Sequence, residues 1–253
     1  MKNIDIYNLI DKIAPFNTAM SFDNVGLLIG AKETEIVKIL ICLDITDDVI
    51  DEVIKIGANL IISHHPVIFE PLKSVCGNSI VHRLINNNIS AICCHTNLDL
   101  CDSIGVNRAL ADKLLVKDIF IPDTVPKNYE YFKFTLENEI STMDYAKHIK
   151  NCFPDCCLQF NKIDKSLKTF AMCSGAGSSC VEYFSDDIDA FITGEIKYNI
   201  WLEAQRKGIV IFALGHFASE VVFAPLLQKY LSENTINIDI QISKAEKDII
   251  QTL

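Results

Sequence analysis

Short apolar runs alternate with amphipathic segments along most of this chain, and few architectures other than a helix-covered sheet accommodate that rhythm. Ile36–Leu43, Leu60–Ile62 and Ile89–Cys94 read as strands, separated by helices over Asp47–Ile56, closed by Gly57, and Ser79–Asn86. Near the start, Ile6, Leu9, Ile10 and Ile13 recur at helical spacing until Pro15, and a polar turn at Ser21–Asn24 leads into a short apolar strand ending near Gly30. The second half opens less regularly, from Pro122 to about Lys150, with a strand at Tyr131–Leu136 and a helix at Thr142–Cys152. It then returns to the same alternation. Strands are expected at Thr169–Cys173, Ala190–Thr193 and Ile209–Leu214, with helices around Tyr198–Arg206 and from about Ala218. The expected fold is α/β: two similar, closely packed lobes, 1–125 and 126–253, interdependent, with mostly parallel or mixed sheets and a metal site between them.

One correspondence between the halves concerns position as well as composition. Gly57 precedes an apolar run ending in Ser63-His64-His65, and Gly208 precedes one ending in Gly215-His216. Ligands in open α/β sheets sit beyond the carboxyl ends of strands, so both histidine segments fall where function is expected. Asp44, His95 and Glu195 also follow apolar runs. The remaining histidines, His82 and His148, lie within expected helices and read as ordinary surface or core-edge residues.

The strand-end residues are the types that hold divalent metal. Pro66 keeps His65 extended, and at a strand end adjacent His64 and His65 can diverge toward neighbouring ions. His216 and Glu220 stand four apart, on one face of a helix beginning there; His95 and Asp99 repeat the spacing, so either could join the first group. Imidazole with carboxylate suits Zn, Fe, Mn or a similar ion and leaves its identity open. The ten cysteines include no Cys-x-x-Cys pair, and several lie inside apolar runs, where thiols pack as small hydrophobes.

Composition excludes other classes. With 49% hydrophobic and 22% charged residues the chain is an ordinary globular one, and its net charge of −10 disfavours broad nucleic-acid binding. The N-terminal residues offer no signal-peptide core and no apolar run is long enough to span a bilayer, so the expectation is a cytoplasmic protein without membrane contact.

Five motifs, in order, carry a resemblance. Phe22-Asp23-Asn24-Val25-Gly26-Leu27, Ser63-His64-His65-Pro66, His95-Thr96-Asn97-Leu98-Asp99, Thr193-Gly194-Glu195-Ile196-Lys197-Tyr198 and Gly215-His216-Phe217-Ala218-Ser219-Glu220 span nearly the whole chain. Together they resemble the dinuclear-metal-centre hexameric proteins known as GTP cyclohydrolase I type 2 homologues, or NGG-interacting-factor-like proteins, in their short form. The resemblance implies two divalent ions per subunit held by His64, His65, Asp99, His216 and bridging Glu220. It makes His95, Glu195 and Lys197 candidates for outer contacts or substrate binding, and implies a ring-shaped homohexamer. Two positions depart from the family pattern: Asn199 stands where His is common and Phe217 where Tyr is common.

Three activities follow as expectations. The first is a metal-dependent hydrolase opening the imidazole ring of a purine nucleotide, nominally GTP, with no catalytic group assigned beyond metal-bound water. Metal-assisted phosphoester hydrolysis uses the same ligands. The alternative class is a non-catalytic metal-binding protein that holds a nucleotide, a protein or single-stranded nucleic acid. Lys197 and the small-residue turn Ser174–Ser178, with open backbone amides, are the candidate phosphate contacts.

Overall fold

A computed structural model describes residues 1–123 and 131–251. The chain divides into two compact units: Met1–Gly105 with Phe223–Lys247, and Val106–Val222 with Asp248–Leu253. The boundary read between 125 and 126 lies outside the described residues, as does part of the irregular stretch after Pro122. Each unit is built on its own five-stranded mixed sheet.

In the first unit, helix α1 (Asn3–Ile13) precedes β1 (Gly26–Ile29), β2 (Lys38–Cys42), α2 (Asp47–Ile56), β3 (Leu60–Ser63), α3 (Ile80–Asn86), β4 (Ser90–Cys93) and the single turn α4 (Thr96–Asp99). The sheet order is β1-β4-β3-β2 and then a strand from far along the chain, Asp239–Ile242. Only β1 runs antiparallel to its neighbour. The parallel strands are apolar on both faces because both faces are covered. Leu40, Cys42, Ile61 and Ala91 pack with Val49, Ile50 and Val53 of α2 and Val81 and Leu84 of α3. The alternate residues Ile39, Ile41, Leu60 and Ile62 are equally buried, as are Ile6 and Ile10 of α1.

In the second unit, α5 (Val106–Lys113), β5 (Phe132–Ser141), α6 (Thr142–Cys152), β6 (Gln159–Phe160), β7 (Ser166–Ala176), β8 (Ala190–Glu195), α7 (Tyr198–Lys207), β9 (Val210–Ala213) and α8 (His216–Glu220) follow. The sheet order is β5-β7-β8-β9-β6: parallel in the middle, antiparallel at both edges. Phe134, Phe170, Phe212 and Tyr145 fill one face, and Phe191, Ile211, Ile200 and Ala204 the other. The chain then re-enters the first unit through α9 (Ala224–Asn234) and β10 (Asp239–Ile242), which lies parallel to β2 with Ile240 opposite Ile39.

The correspondence between the halves is realised in backbone geometry. Gly57 ends α2 and Gly208 ends α7, both left-handed, with φ of 69° and 72°. Neither is crowded, so glycine serves here for backbone conformation alone. Each releases the chain into a buried four-residue strand, β3 or β9, whose end delivers histidine. Among the described residues no helix is long and apolar enough to cross a membrane.

Candidate metal centre

The first unit gathers three imidazoles. Each of His64, His65 and His95 offers a ring nitrogen, and these atoms lie within 4.8 Å of one another. Because β3 ends at Ser63, His64 and His65 escape the alternation of a strand, and their rings stand 5.2 Å apart. All three are held by Nδ1. His64, wholly buried, donates Nδ1–H to the Cys94 carbonyl at 2.9 Å. His65 donates to Asp44 Oδ1 at 2.8 Å and His95 to Asp23 Oδ1 at 2.9 Å. An acceptor at Nδ1 fixes the neutral tautomer whose Nε2 bears the lone pair, the arrangement that orients a metal-binding histidine. Asp99, at the end of α4, brings Oδ1 to 3.6 Å from His64 Nε2.

The anchors are themselves anchored. Asp23 Oδ2 accepts from the Thr96 amide at 3.0 Å and the Thr96 hydroxyl at 2.6 Å. Burial raises the Asp23 pKa, but the hydrogen bonds from His95 and Thr96 outweigh it and bring the carboxyl down to about 2. The Glu246 carboxylate accepts from the amides of Leu43 and Asp44, and burial pushes its pKa up to about 7 against the pull of those donors. The Phe22–Leu27 motif gives Asp23 no role in the sequence reading. Its position just before a glycine-started strand is the one local hint, and its partner lies 72 residues away.

The second unit contributes His216, Glu220 and Glu195. Helix α8 begins at His216, two residues earlier than expected, so the four-residue spacing places His216 Nε2 at 2.9 Å from Glu220 Oε2. Glu195, at the end of β8, reaches His216 Nδ1 at 3.4 Å. Glu220 is buried, His216 about one-third exposed. Gly175 makes the close packing feasible: at φ +61° it faces the Glu220 carboxylate, into which any Cβ would project. Its amide donates to Ser219 Oγ at 3.0 Å, and Ser219 donates to the His216 carbonyl at 2.8 Å.

One expectation changes in part. The small-residue segment is the end of β7 followed by a 3-10 helix, Gly177–Tyr183, and three of its amides are engaged within the fold. Ser174 N–H donates to Asn107 Oδ1, Gly175 N–H to Ser219 Oγ and Gly177 N–H to Thr193 Oγ1. Lys197 is exposed at the N-cap of α7, outside the donor cluster, beside a cavity of about 420 Å³. The His82 ring lies 3.1 Å from Asn86 Nδ2 of its own helix, and His148 donates to the Leu114 carbonyl, so both read as structural. Asn199 is exposed and Phe217 half-buried.

Comparison with known proteins agrees with this architecture. The family model described as Duf34/NIF3 (NGG1p interacting factor 3) matches residues 1–249. A GTP cyclohydrolase 1 type 2 homolog of Campylobacter jejuni is 33% identical, covering 96% of this chain and 98% of the relative. One from Clostridium perfringens is 31% identical over 98% of each. A crystal structure of a hypothetical protein of Staphylococcus aureus superposes with a TM-score of 0.88 at 29% identity, over 100% of this chain and 99% of the other. The chain belongs to the Duf34/NIF3 family.

Proposed function

We propose that this chain holds two divalent ions through His64, His65, Asp99, His216 and Glu220 and hydrolyses a purine nucleotide, as a cytoplasmic homohexamer. The observation that carries it is the Nδ1 anchoring of His64, His65 and His95, which sets Nε2 as the metal-facing donor atom of each ring. The donor set fits Zn, Fe or Mn: imidazole nitrogen and carboxylate oxygen, with no cysteine in either group. When bound, a pair of ions lowers the pKa of water and polarises the atom under attack.

The residues divide the remaining work. Asp23 and Asp44 hold imidazole orientation and raise basicity, and the Cys94 carbonyl does so for buried His64. Glu220 has two carboxylate oxygens with which to bridge, and Glu195 steadies His216 from its other nitrogen. GTP is the first substrate to test because relatives bear the name GTP cyclohydrolase 1 type 2 homolog.

The experiment is metal stoichiometry and GTP turnover of the purified protein beside Glu220→Ala, with molecular mass in solution measured on the same samples. About two ions per chain and turnover lost in the variant are expected. Full loading without turnover would replace the hydrolase with a metal-dependent binding protein, and metal content unchanged in Glu220→Ala, His64→Ala and His216→Ala would sink the centre itself.

A further inference from the structure

Beside the donor group of the second unit lies a cavity of about 420 Å³, lined by Ala176, Ser178, Ser179, Glu195, Ile196 and Lys197. A volume of that size accommodates part of a nucleotide. Its lining carries both signs of charge. Glu195 lies 3.4 Å from His216 Nδ1, so the cavity adjoins the proposed chemistry. Lys197 brings the single cationic side chain of the lining, in a chain whose net charge is −10. Ser178 Oγ accepts the Lys197 backbone N–H at 2.9 Å, which ties the 3-10 helix to the start of α7 and leaves the Ser178 hydroxyl proton as a donor. Ser179 supplies a second hydroxyl to the lining.

We propose that this cavity seats the phosphate chain of the nucleotide, with Lys197 as counter-charge and the Ser178 and Ser179 hydroxyls as donors. The inference rests on the nucleotide reading above. Phosphate oxygens only accept hydrogen bonds, and the lining offers an ammonium and two hydroxyls, all donors. The amides of Gly175 and Gly177 are engaged within the fold and add nothing to this recognition.

The test is calorimetric binding of GTP and of guanosine to the metal-loaded protein, its Lys197→Met and its Lys197→Arg variants, with metal content measured on each. Lys197→Met should weaken GTP binding roughly 10- to 100-fold, the worth of a charge-assisted contact, and leave guanosine binding and metal content unchanged. Lys197→Arg should recover most of the GTP affinity. GTP binding unaltered in Lys197→Met would overturn the phosphate seat and leave the nucleotide reading standing. Failure of the unmodified protein to bind either compound would overturn both.

Discussion

The two donor groups solve the problem of presenting imidazole differently. In the first unit, each of His64, His65 and His95 is fixed from behind by an acceptor that is not itself a proposed ligand: the Cys94 carbonyl, Asp44 and Asp23. In the second, His216 meets carboxylates at both nitrogens, and the one at Nε2, Glu220, is a proposed ligand. Anchoring by Nδ1 fixes the orientation of an imidazole, whereas the His216–Glu220 contact must open so that each donor can turn to the metal. The first group is anchored from behind and the second is self-paired. Anchoring predicts tighter binding, because the cost of orienting the rings falls on folding.

The largest expected effect breaks that asymmetry directly. His64→Ala should lower metal affinity more than ~100-fold and empty the protein at micromolar metal, while His216→Ala should retain about one ion per chain in the anchored group. Elemental analysis after dialysis reads both. Equal emptying by the two substitutions would show that neither group binds alone.

Next comes the support behind the first group. Asp23→Asn removes an acceptor from His95 and Thr96, and should cost ~10–100-fold in metal affinity. It should also change the response to acid. The Asp23 carboxyl sits at about 2 in the folded protein against its ordinary 3.8, so ionisation favours the folded state. That stabilisation, about 2 kcal/mol, is complete above the ordinary value and is lost as pH falls through about 2. Denaturant titrations of the metal-free protein should therefore separate the native protein from Asp23→Asn at pH 7 and bring them together near pH 2. A constant gap across that range would remove the carboxylate from the account.

How much of this was legible in sequence differs between the groups for a physical reason. Helices α2 and α6 fall at the residues expected, since capping and amphipathic spacing are local signals. The places of the candidate donors at strand ends were also legible, because Gly57, Gly208 and the apolar runs mark those ends. The anchors were not. Asp23 reaches His95 across 72 residues and Glu246 reaches the Asp44 amide across 202, and no periodicity encodes such pairings. Strand β10 had a signal, apolar residues alternating at Ile236, Ile238, Ile240 and Ile242, but which sheet it joins is set by packing rather than by its own sequence.

In the second unit the tight fit, rather than an anchor, should be the sensitive point. Gly175→Ala places a methyl group at φ +61° against the Glu220 carboxylate. Backbone strain and the displaced side chain together should cost about 1–3 kcal/mol in urea unfolding of the metal-free protein. Binding to the first group should be unaffected. Unchanged stability would mean that Glu220 swings away freely, and the self-paired description of this group would fail.

The smallest expected effect tests whether position at a strand end, rather than histidine itself, makes a donor. His82 lies in the middle of α3, where Asn86, one turn along the same helix, is within 3.1 Å of its ring. That contact is exposed, and exchange of a partly exposed helical residue away from caps and core shifts stability by no more than ~0.5 kcal/mol. His82→Ala should therefore leave metal content, nucleotide binding and unfolding midpoint at native values. Its sequence neighbourhood is as rich in apolar residues as that of His64, but a helix interior holds a side chain on the flank of the sheet instead of projecting it past the edge. Loss of metal from His82→Ala would place a donor where the fold offers no partner for it, and the rule relating strand ends to ligands in this chain would have to be abandoned.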